Sequence, residues 1–534
     1  MQKLLFLKIC KGLILSTLSG LLLAFSWPEI GFSVLIFIAF IPLFLLENSI
    51  ANLEEKTSWI VSIKTFSVFG YSFFTFFIFN ILTTYWIWHA TTLGSFAAFI
   101  INSILMSFVV VLFHKVKRVL GNKRGYLSFI FLWISMEYIH LHWDLAWPWL
   151  TLGNVFSTNP AIVQWYEFTG ILGGSIWVLA INILIFTSLE LEKIKRKFIL
   201  LIIIIFTPIF ISLSLEETFL EEKTVEVVIV QPNVDPFNEK FNKSYKVQLD
   251  DFINLARNKL TQETKLLIGP ETALQESIWE DDIKDTESYN KLRKLQSDFP
   301  NLNILVGATT FRDLGEKKLP FARKIGDSES WYIPYNSAIS LGSDSSILIY
   351  HKSKLVPGVE QIPYPFIFDL IGDFTVDLGG ISGSLGKDNL MQTFTYGDIE
   401  IRPLICYESI FGEIITSSNY DLITIITNDG WWNNTAGYKQ HFQYARLRAI
   451  EQRKSIIRSA NTGISGLISP DGKVINQTKW NEAIAINIKA SLNSDVTFYN
   501  RFGDYLGRVS LFLTILVLLF SLVKHITDKK TPTL

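Results

Sequence analysis

The segment Ile399-Glu-Ile-Arg-Pro-Leu-Ile-Cys406-Tyr-Glu-Ser-Ile-Phe-Gly-Glu413 decides the reading of this chain. Its first seven residues form an apolar, partly β-branched run, and the pattern breaks at the cysteine. Such a run predicts a buried strand that ends in a turn at Cys406. A thiol at a strand-to-turn junction is held rigidly at a sheet edge. Position alone leaves a second reading open, because free cysteine is among the most buried residue types.

Two further runs end the same way. Leu266-Leu-Ile268 is followed by Gly-Pro-Glu271, and Ile347-Leu-Ile-Tyr350 by His-Lys352. A carboxylate just past a buried strand can be kept dry, which raises its affinity for a proton and suits it to act as a base. A cation beside a thiol stabilises the thiolate, and beside a tetrahedral intermediate it stabilises the oxyanion. Taken singly, Glu271 also reads as the first turn of a helix after Pro270, and Lys352 as a solvated strand end. Carboxylate, cation and thiol each follow a separate buried strand, and only together do they suggest one site.

The strands belong to one part of the chain. Runs of the same kind recur at Val225–Val230, Ile304–Val306, Leu422–Thr427, Ser455–Arg458 and Gly466–Ile468. Amphipathic segments, Val247–Leu260 and Gln440–Gln452, read as helices between them. Residues 216–505 are therefore expected to form an α/β domain whose strands are covered by helices.

Outside that domain the composition changes. The full chain has 534 residues, too many for one core; charged residues are only 18% of it and aromatics 14%, and mean hydropathy is +0.31. Apolar stretches near Leu13–Trp27, Phe32–Leu46, Thr65–Tyr85, Ser95–Phe113, Leu127–Leu141, Ile171–Leu189, Phe198–Leu215 and Val509–Val523 approach the ~20 residues that a membrane helix needs. This predicts a bundle of seven spans in 1–215, and one more span with a tail in 506–534. The first span reads as a retained helix, because no small-residue cleavage site follows it.

The cations are one-sided. Lys and Arg cluster before span one, in alternate loops and after span eight, seventeen in all, and the intervening short loops contain none; Arg508 is the one exception. By the bias of cytoplasmic loops toward Lys and Arg, both termini are cytoplasmic and 216–505 lies on the outer face. A net charge of −1 gives no electrostatic case for nucleic-acid binding. Two cysteines, Cys10 and Cys406, exclude a disulfide framework, and seven histidines form no H-x-x-x-H pair, so no metal is expected.

The order Glu271…Lys352…Cys406 resembles the nitrilase, or carbon–nitrogen hydrolase, superfamily. The segments Asn428-Asp-Gly-Trp, Gln440-His-Phe-Gln and Arg458-Ser-Ala-Asn strengthen the match. With seven spans before the domain and one after it, the whole chain is similar to the apolipoprotein N-acyltransferases. Phe25-Ser-Trp-Pro-Glu29, Trp133-Ile-Ser-Met-Glu137 and Trp147-Pro-Trp-Leu150 agree in the membrane half.

The resemblance implies an αββα sandwich. Glu271 matches the family's base, Lys352 its lysine and Cys406 its nucleophile. Glu360 matches an additional glutamate over the site, Tyr407 and Glu408 the residues that support the nucleophile, and Phe241 falls near a family tryptophan. Gly269 stands where Trp is usual, and Pro357-Gly-Val-Glu360 replaces Pro-Phe-Gly-Glu. These departures bear on the lid and the acyl pocket.

The implied reaction is ping-pong acyl transfer without a cofactor. A phospholipid is the acyl donor, and the α-amino group of a diacylglyceryl apolipoprotein is the acceptor. The implied location is a bacterial inner membrane, with the catalytic domain on the periplasmic side. A membrane-tethered amidase would share the triad and pass the acyl group to water. A transporter with an outer receptor domain would need paired charges at mid-bilayer depth, and Glu137 alone sits in or near a span. It reads equally as lining a polar groove or as interfacial. Trp27, Trp86, Trp88, Trp147 and Trp149 read as interfacial anchors, and Trp431 and Trp432 as either portal or core. Gln440, His441, Arg446 and Arg448 are expected to brace the site's helix.

Overall fold

The computed structural model describes residues 2–29, 31–52, 63–188, 194–216, 223–319, 321–364, 384–388 and 392–530. Residues 217–222, which join the stretch Phe198–Leu215 to the α/β domain, and the loop cations Lys56 and Lys193 lie outside them. The chain divides into two compact units, one made of Met1–Trp88, Thr92–Leu215 and Phe502–Leu534, the other of His89–Thr91 and Glu216–Arg501.

The first unit is helical. It contains α1 (Gln2–Ser26), α2 (Ile41–Ala51), α3 (Ile63–Thr84), the short α4 (Ile87–Ala90), α5 (Thr92–Leu120), α6 (Asn122–His140), α7 (Tyr166–Ser188) and α8 (Ile194–Glu216). Among the described residues seven helical stretches are long and apolar enough to cross a membrane, one of them within Tyr505–Lys530. The segment expected as the fifth span, Leu127–Leu141, is helical too, as α6. It is less apolar than the rest because it carries Lys123, Arg124, Glu137 and His140.

Two buried carboxylates of this unit are paired or hydrogen-bonded, as an apolar surrounding favours. Glu47 of α2 pairs with His114, at 2.6 Å, and with Lys117, both on α5. Glu137 is 5% exposed. Its Oε1 accepts from Trp133 Nε1 at 3.0 Å and from the Leu152 amide at 2.8 Å. It thus ties α6 to the following loop. The expected aromatic anchors are corrected in part. Trp27, Trp86 and Trp149 are buried inside the unit; Trp27 packs edge-on against Phe79, and Trp86 against Trp149. Trp88 is half exposed.

The second unit is an αββα sandwich. Its strands are β1 (Thr224–Gln231), β2 (Leu266–Ile268), β3 (Leu274–Trp279), β4 (Asn303–Asp313), β5 (Arg323–Lys324), β6 (Trp331–Leu341), β7 (Ile347–His351), β8 (Phe394–Tyr396), β9 (Ile399–Ile405), β10 (Leu422–Thr427), β11 (Ser455–Ala460), β12 (Gly466–Ile468), β13 (Val474–Gln477) and β14 (Ile484–Ser491). One sheet runs β14-β1-β2-β4-β6-β5, with β3 on β4 and β7 on β6; the other runs β13-β12-β11-β10-β9-β8. Its helices are α9 (Tyr245–Arg257), α10 (Glu287–Asp298) and α11 (Ala436–Gln452), followed by the short α12 (Phe498–Phe502); α13 (Tyr505–Lys530) belongs to the first unit.

Strand alternation builds the layers. Val227 and Ile229 of β1 join Ile401, Ile405, Leu422 and Ile457 in the core between the sheets. Their neighbours Val228 and Val230 point the other way, onto Leu249 and Phe252 of α9 and Leu292 and Leu295 of α10. The second sheet does the same: Leu404, Ile423 and Ile456 pack on Phe442, Ala445 and Ala449 of α11. Parallel pairing of β1, β2 and β4, and of β9, β10 and β11, brings their C-terminal ends together within each sheet.

Candidate active site

Cys406 leaves β9 with φ +51°, a left-handed conformation that costs a β-carbon residue roughly 1 kcal/mol or more. The turn is held from both sides. Glu408 Oε2 accepts from the Ile405 amide at 2.7 Å, and Ser409 Oγ donates to the Cys406 carbonyl at 2.7 Å. His441 of α11 lies with Nε2 3.2 Å from that carbonyl and 2.8 Å from Ser409 Oγ. Its Nδ1 is 2.9 Å from Asp429 Oδ1, and Arg458 donates to Asp429 Oδ2 at 2.6 Å. Burial works against the Asp429 charge, but Arg458 and His441 overcome it and hold its pKa below the ordinary value. Arg448 donates to the Ile410 carbonyl at 2.5 Å, while Arg446 bonds the Gly472 carbonyl, away from the turn.

Glu271 sits on the turn after β2. Gly307 of β4 permits that turn: a Cβ there would lie 2.6 Å from Glu271 Cα, from the Pro270 oxygen and from the Thr272 nitrogen. Glu271 is 7% exposed. Its Oε1 accepts from Asn336 Nδ2 at 2.7 Å and from Lys352 Nζ at 3.3 Å, and its Oε2 from the Asn428 amide at 3.0 Å. Lys352, just past β7, donates also to Glu360 Oε1 at 2.9 Å. Asn336 of β6 reaches the same Glu360 oxygen at 2.9 Å, and Glu360 Oε2 accepts from the Val356 amide at 2.9 Å.

The electrostatics follow from burial and pairing. Burial disfavours the Lys352 charge, yet Glu360 and Glu271 outweigh it and raise its pKa, so this lysine is an ammonium at all working pH. Burial raises the Cys406 pKa above the ordinary thiol range; Glu271 raises it further and Lys352 offsets part of this. The resting sulfur is a thiol, and a base must take its proton before it can attack.

The structure brings Glu271, Lys352 and Glu360 into one hydrogen-bonded group beside Cys406. Glu408 is fully buried and links the thiol turn to the lysine loop. Tyr407 is buried, its ring edge-on to Phe411 at 5.0 Å. Phe241 is not brought in; the residue is 49% exposed. Its neighbour Lys240 is the buried one. Lys240 Nζ donates to Thr272 Oγ1 at 2.5 Å and lies 5.5 Å from the Trp431 ring centroid. Burial lowers its pKa to about 8, against the pull of Glu271, Cys406 and Glu360. Asn336, Asn428 and Lys240 were missed as site residues by sequence reasoning. Asn428 lay in a quoted motif, but neither Asn336 nor Lys240 follows an apolar run. Among the described residues no group of three or more His, Cys, Asp or Glu is placed to hold a metal ion.

A site of this make-up can acylate a thiol: it has a carboxylate that can act as a base, a fixed cation that can face an oxyanion, and a thiol on a buried, left-handed turn. The comparisons with known proteins agree with that architecture. Residues 229–492 match the carbon-nitrogen hydrolase family, and residues 19–184 match the apolipoprotein N-acyltransferase N-terminal domain. An apolipoprotein N-acyltransferase of Chlorobaculum tepidum is 28% identical, covering 94% of this chain and 95% of its own. Proteins of the same name from Rickettsia prowazekii and Geobacter metallireducens are 28% and 25% identical; the matches cover 90% and 92% of this chain, and 94% and 91% of theirs. Two domain matches in this order, and relatives that align along nearly the full length, place the chain in the apolipoprotein N-acyltransferase family, a membrane-embedded branch of the carbon–nitrogen hydrolases.

Proposed function

We propose that the chain is a phospholipid:apolipoprotein N-acyltransferase. Glu271 takes the Cys406 proton, and the sulfur attacks the ester carbonyl of a phospholipid. Lys352 stabilises the oxyanion, and the lysophospholipid leaves with the proton, so that a thioester remains on Cys406. The α-amino group of a diacylglyceryl-cysteine then attacks. Its reference pKa is about 7.7–8.0, so Glu271 serves again as the base. As the C–N bond forms, the C–S bond breaks, the sulfur takes back the proton that Glu271 removed from the amine, and the product is an amide. No cofactor enters these steps. The observation that carries the reading is Lys352 Nζ, which bridges Glu271 and Glu360 in a buried site beside Cys406.

Both substrates carry acyl chains, each buried CH₂ of which holds them to a bilayer by about 0.8 kcal/mol. Seven membrane-capable helices among the described residues fit such substrates; a tethered amidase would need only one. Seventeen cations against one support cytoplasmic termini in a bacterial inner membrane, with the residues from Glu216 to Arg501 on the periplasmic side.

The test is intact mass after incubation with phospholipid vesicles, for wild type and Cys406→Ala. The expected species is heavier by one acyl chain, cleaved by neutral hydroxylamine, absent in the variant and discharged to an amide by a diacylglyceryl-cysteinyl peptide. Cys406-dependent hydrolysis of small amides without an acyl adduct from phospholipid would instead support the amidase.

A further inference from the structure

The Asn428 side chain is buried, at 1% exposed, and is only half used. Its Oδ1 accepts from the Gly430 amide at 3.3 Å and from Asn461 Nδ2 at 3.2 Å. Those two donors fix the orientation of the amide, because flipping it would set donor against donor. Nδ2 is thereby aimed away from them, and it has no hydrogen-bond acceptor among the described residues. Buried donors without partners are rare in folded proteins and call for an explanation.

The position of Asn428 supplies one. It leaves β10 where Cys406 leaves β9, the two strands pairing in parallel with Ile426 beside Ile405. Its backbone amide is bonded to Glu271 Oε2 at 3.0 Å. The backbone of Asn428 is therefore fixed beside the base and one strand over from the nucleophile, and its side chain carries a spare N–H on that rigid strand end. An amide nitrogen donates only, so the group it serves must offer a free lone pair, as a carbonyl oxygen does.

We propose that Asn428 Nδ2 donates a hydrogen bond to the acyl carbonyl oxygen during transfer on Cys406, which makes Asn428 a further catalytic residue. The inference rests on the acyl-transfer reading. When sulfur bonds to the carbonyl carbon, the carbonyl π pair moves to oxygen, and Nδ2 stabilises that oxyanion together with Lys352. On collapse the C=O bond re-forms, the C–O bond to the leaving alcohol breaks, and the alcohol oxygen takes the proton that Glu271 removed from the thiol. A preorganised donor of this kind contributes about 10²–10³-fold in rate.

Alkylation of the thiol by iodoacetamide separates this role from a structural one, since it needs the thiolate but forms no oxyanion. The full-length protein, Asn428→Ala and Asn428→Ser are compared for alkylation of Cys406 across pH, and for acylation by p-nitrophenyl octanoate and by phospholipid vesicles. The expected result for Asn428→Ala is an alkylation profile within about twofold of wild type, with the maximal acylation rate down by about 10²-fold. Asn428→Ser, which keeps a donor, should recover part of the loss. Unchanged acylation overturns the proposal. So does a parallel fall in alkylation and acylation, which would make Asn428 a support for the Glu271 turn. If the wild type accepts neither ester, the acyl-transfer reading and this inference fall together; if it accepts only the activated ester, the phospholipid donor fails and the Asn428 comparison still decides.

Discussion

Glu408, two residues past the thiol, accepts hydrogen bonds from the backbone amide and the hydroxyl of Ser353, the residue after Lys352, at 2.6 and 2.7 Å. The same oxygen accepts from Tyr350 at 2.6 Å, and the other oxygen from Ile405. One carboxylate therefore sets the spacing between the nucleophile turn and the lysine loop. Glu408→Ala strands these buried donors, each at a cost of about 1–3 kcal/mol. The expected outcome is a clear fall in thermal midpoint, together with loss of thioester formation. Glu408→Gln keeps the shape but turns an N–H toward some of the donors, and should fall between the two in both measurements.

Lys352→Met removes the ammonium that Glu271 and Glu360 share, leaving them with Asn336 and the backbone amides of Asn428 and Val356. Two buried carboxylates without the cation between them repel each other, and the site loses its oxyanion partner. Thioester formation at neutral pH should drop below detection. Removing one partner of a buried pair costs about 3–5 kcal/mol, so the thermal midpoint should also fall. Lys352→Arg should not restore the rate, because a planar guanidinium cannot occupy the place of a compact ammonium.

Lys240 gives a pH dependence with a definite sign. Its pKa in the fold is about 8, below the ordinary lysine value of about 10.4. Between these values the unfolded chain holds a proton that the folded chain does not, so this group's contribution to stability rises with pH. Below about 8 both states are charged, and the full burial penalty applies. Lys240→Met should therefore be at least as stable as wild type at neutral pH, and its advantage should shrink from pH 8 to pH 10. Thermal melts of both proteins across that window check it.

Gly269 is hemmed in by its own sheet and α9. A Cβ there would lie 2.7 Å from Val306 and 2.8 Å from the Phe252 ring. Gly269→Ala should destabilise by about 1–3 kcal/mol through overpacking. In a double-mutant cycle with Phe252→Ala, the two losses should sum to more than the measured one, since removing the ring makes room for the methyl. The ring of Phe252 thus accounts for the absence of a large residue before Pro270.

The sequence reading located what local pattern can reveal. Strands β2, β7 and β9 show in the sequence as short runs rich in aliphatic residues, and the three residues that follow them are the ones the fold assembles. β6 was not anticipated, because Pro334 and Asn336 interrupt its apolar character; yet Asn336 holds both carboxylates. Lys240 lies in the charged stretch Glu239-Lys-Phe-Asn-Lys243, which reads as solvated; Trp431 and Thr272, distant in sequence, help to enclose it. The Asp429–His441–Arg458 cluster likewise exists only once α11 packs on the second sheet. Trp27, Trp86 and Trp149 show a further limit: an aromatic residue near the end of an apolar run looks the same whether it faces lipid headgroups or another tryptophan.

The burial of the charged group around Cys406 has a consequence for ionic strength. The side chains of Lys352, Glu271 and Glu360 are 1%, 8% and 13% exposed. Mobile counter-ions screen charges across water, over about 10 Å at 0.1 M salt, and act far less on pairs removed from it. Acylation of Cys406 by an uncharged ester should thus proceed at nearly the same rate in dilute buffer and in 0.5 M sodium chloride. Any salt dependence seen with charged lipids then belongs to their arrival, not to the chemistry that follows.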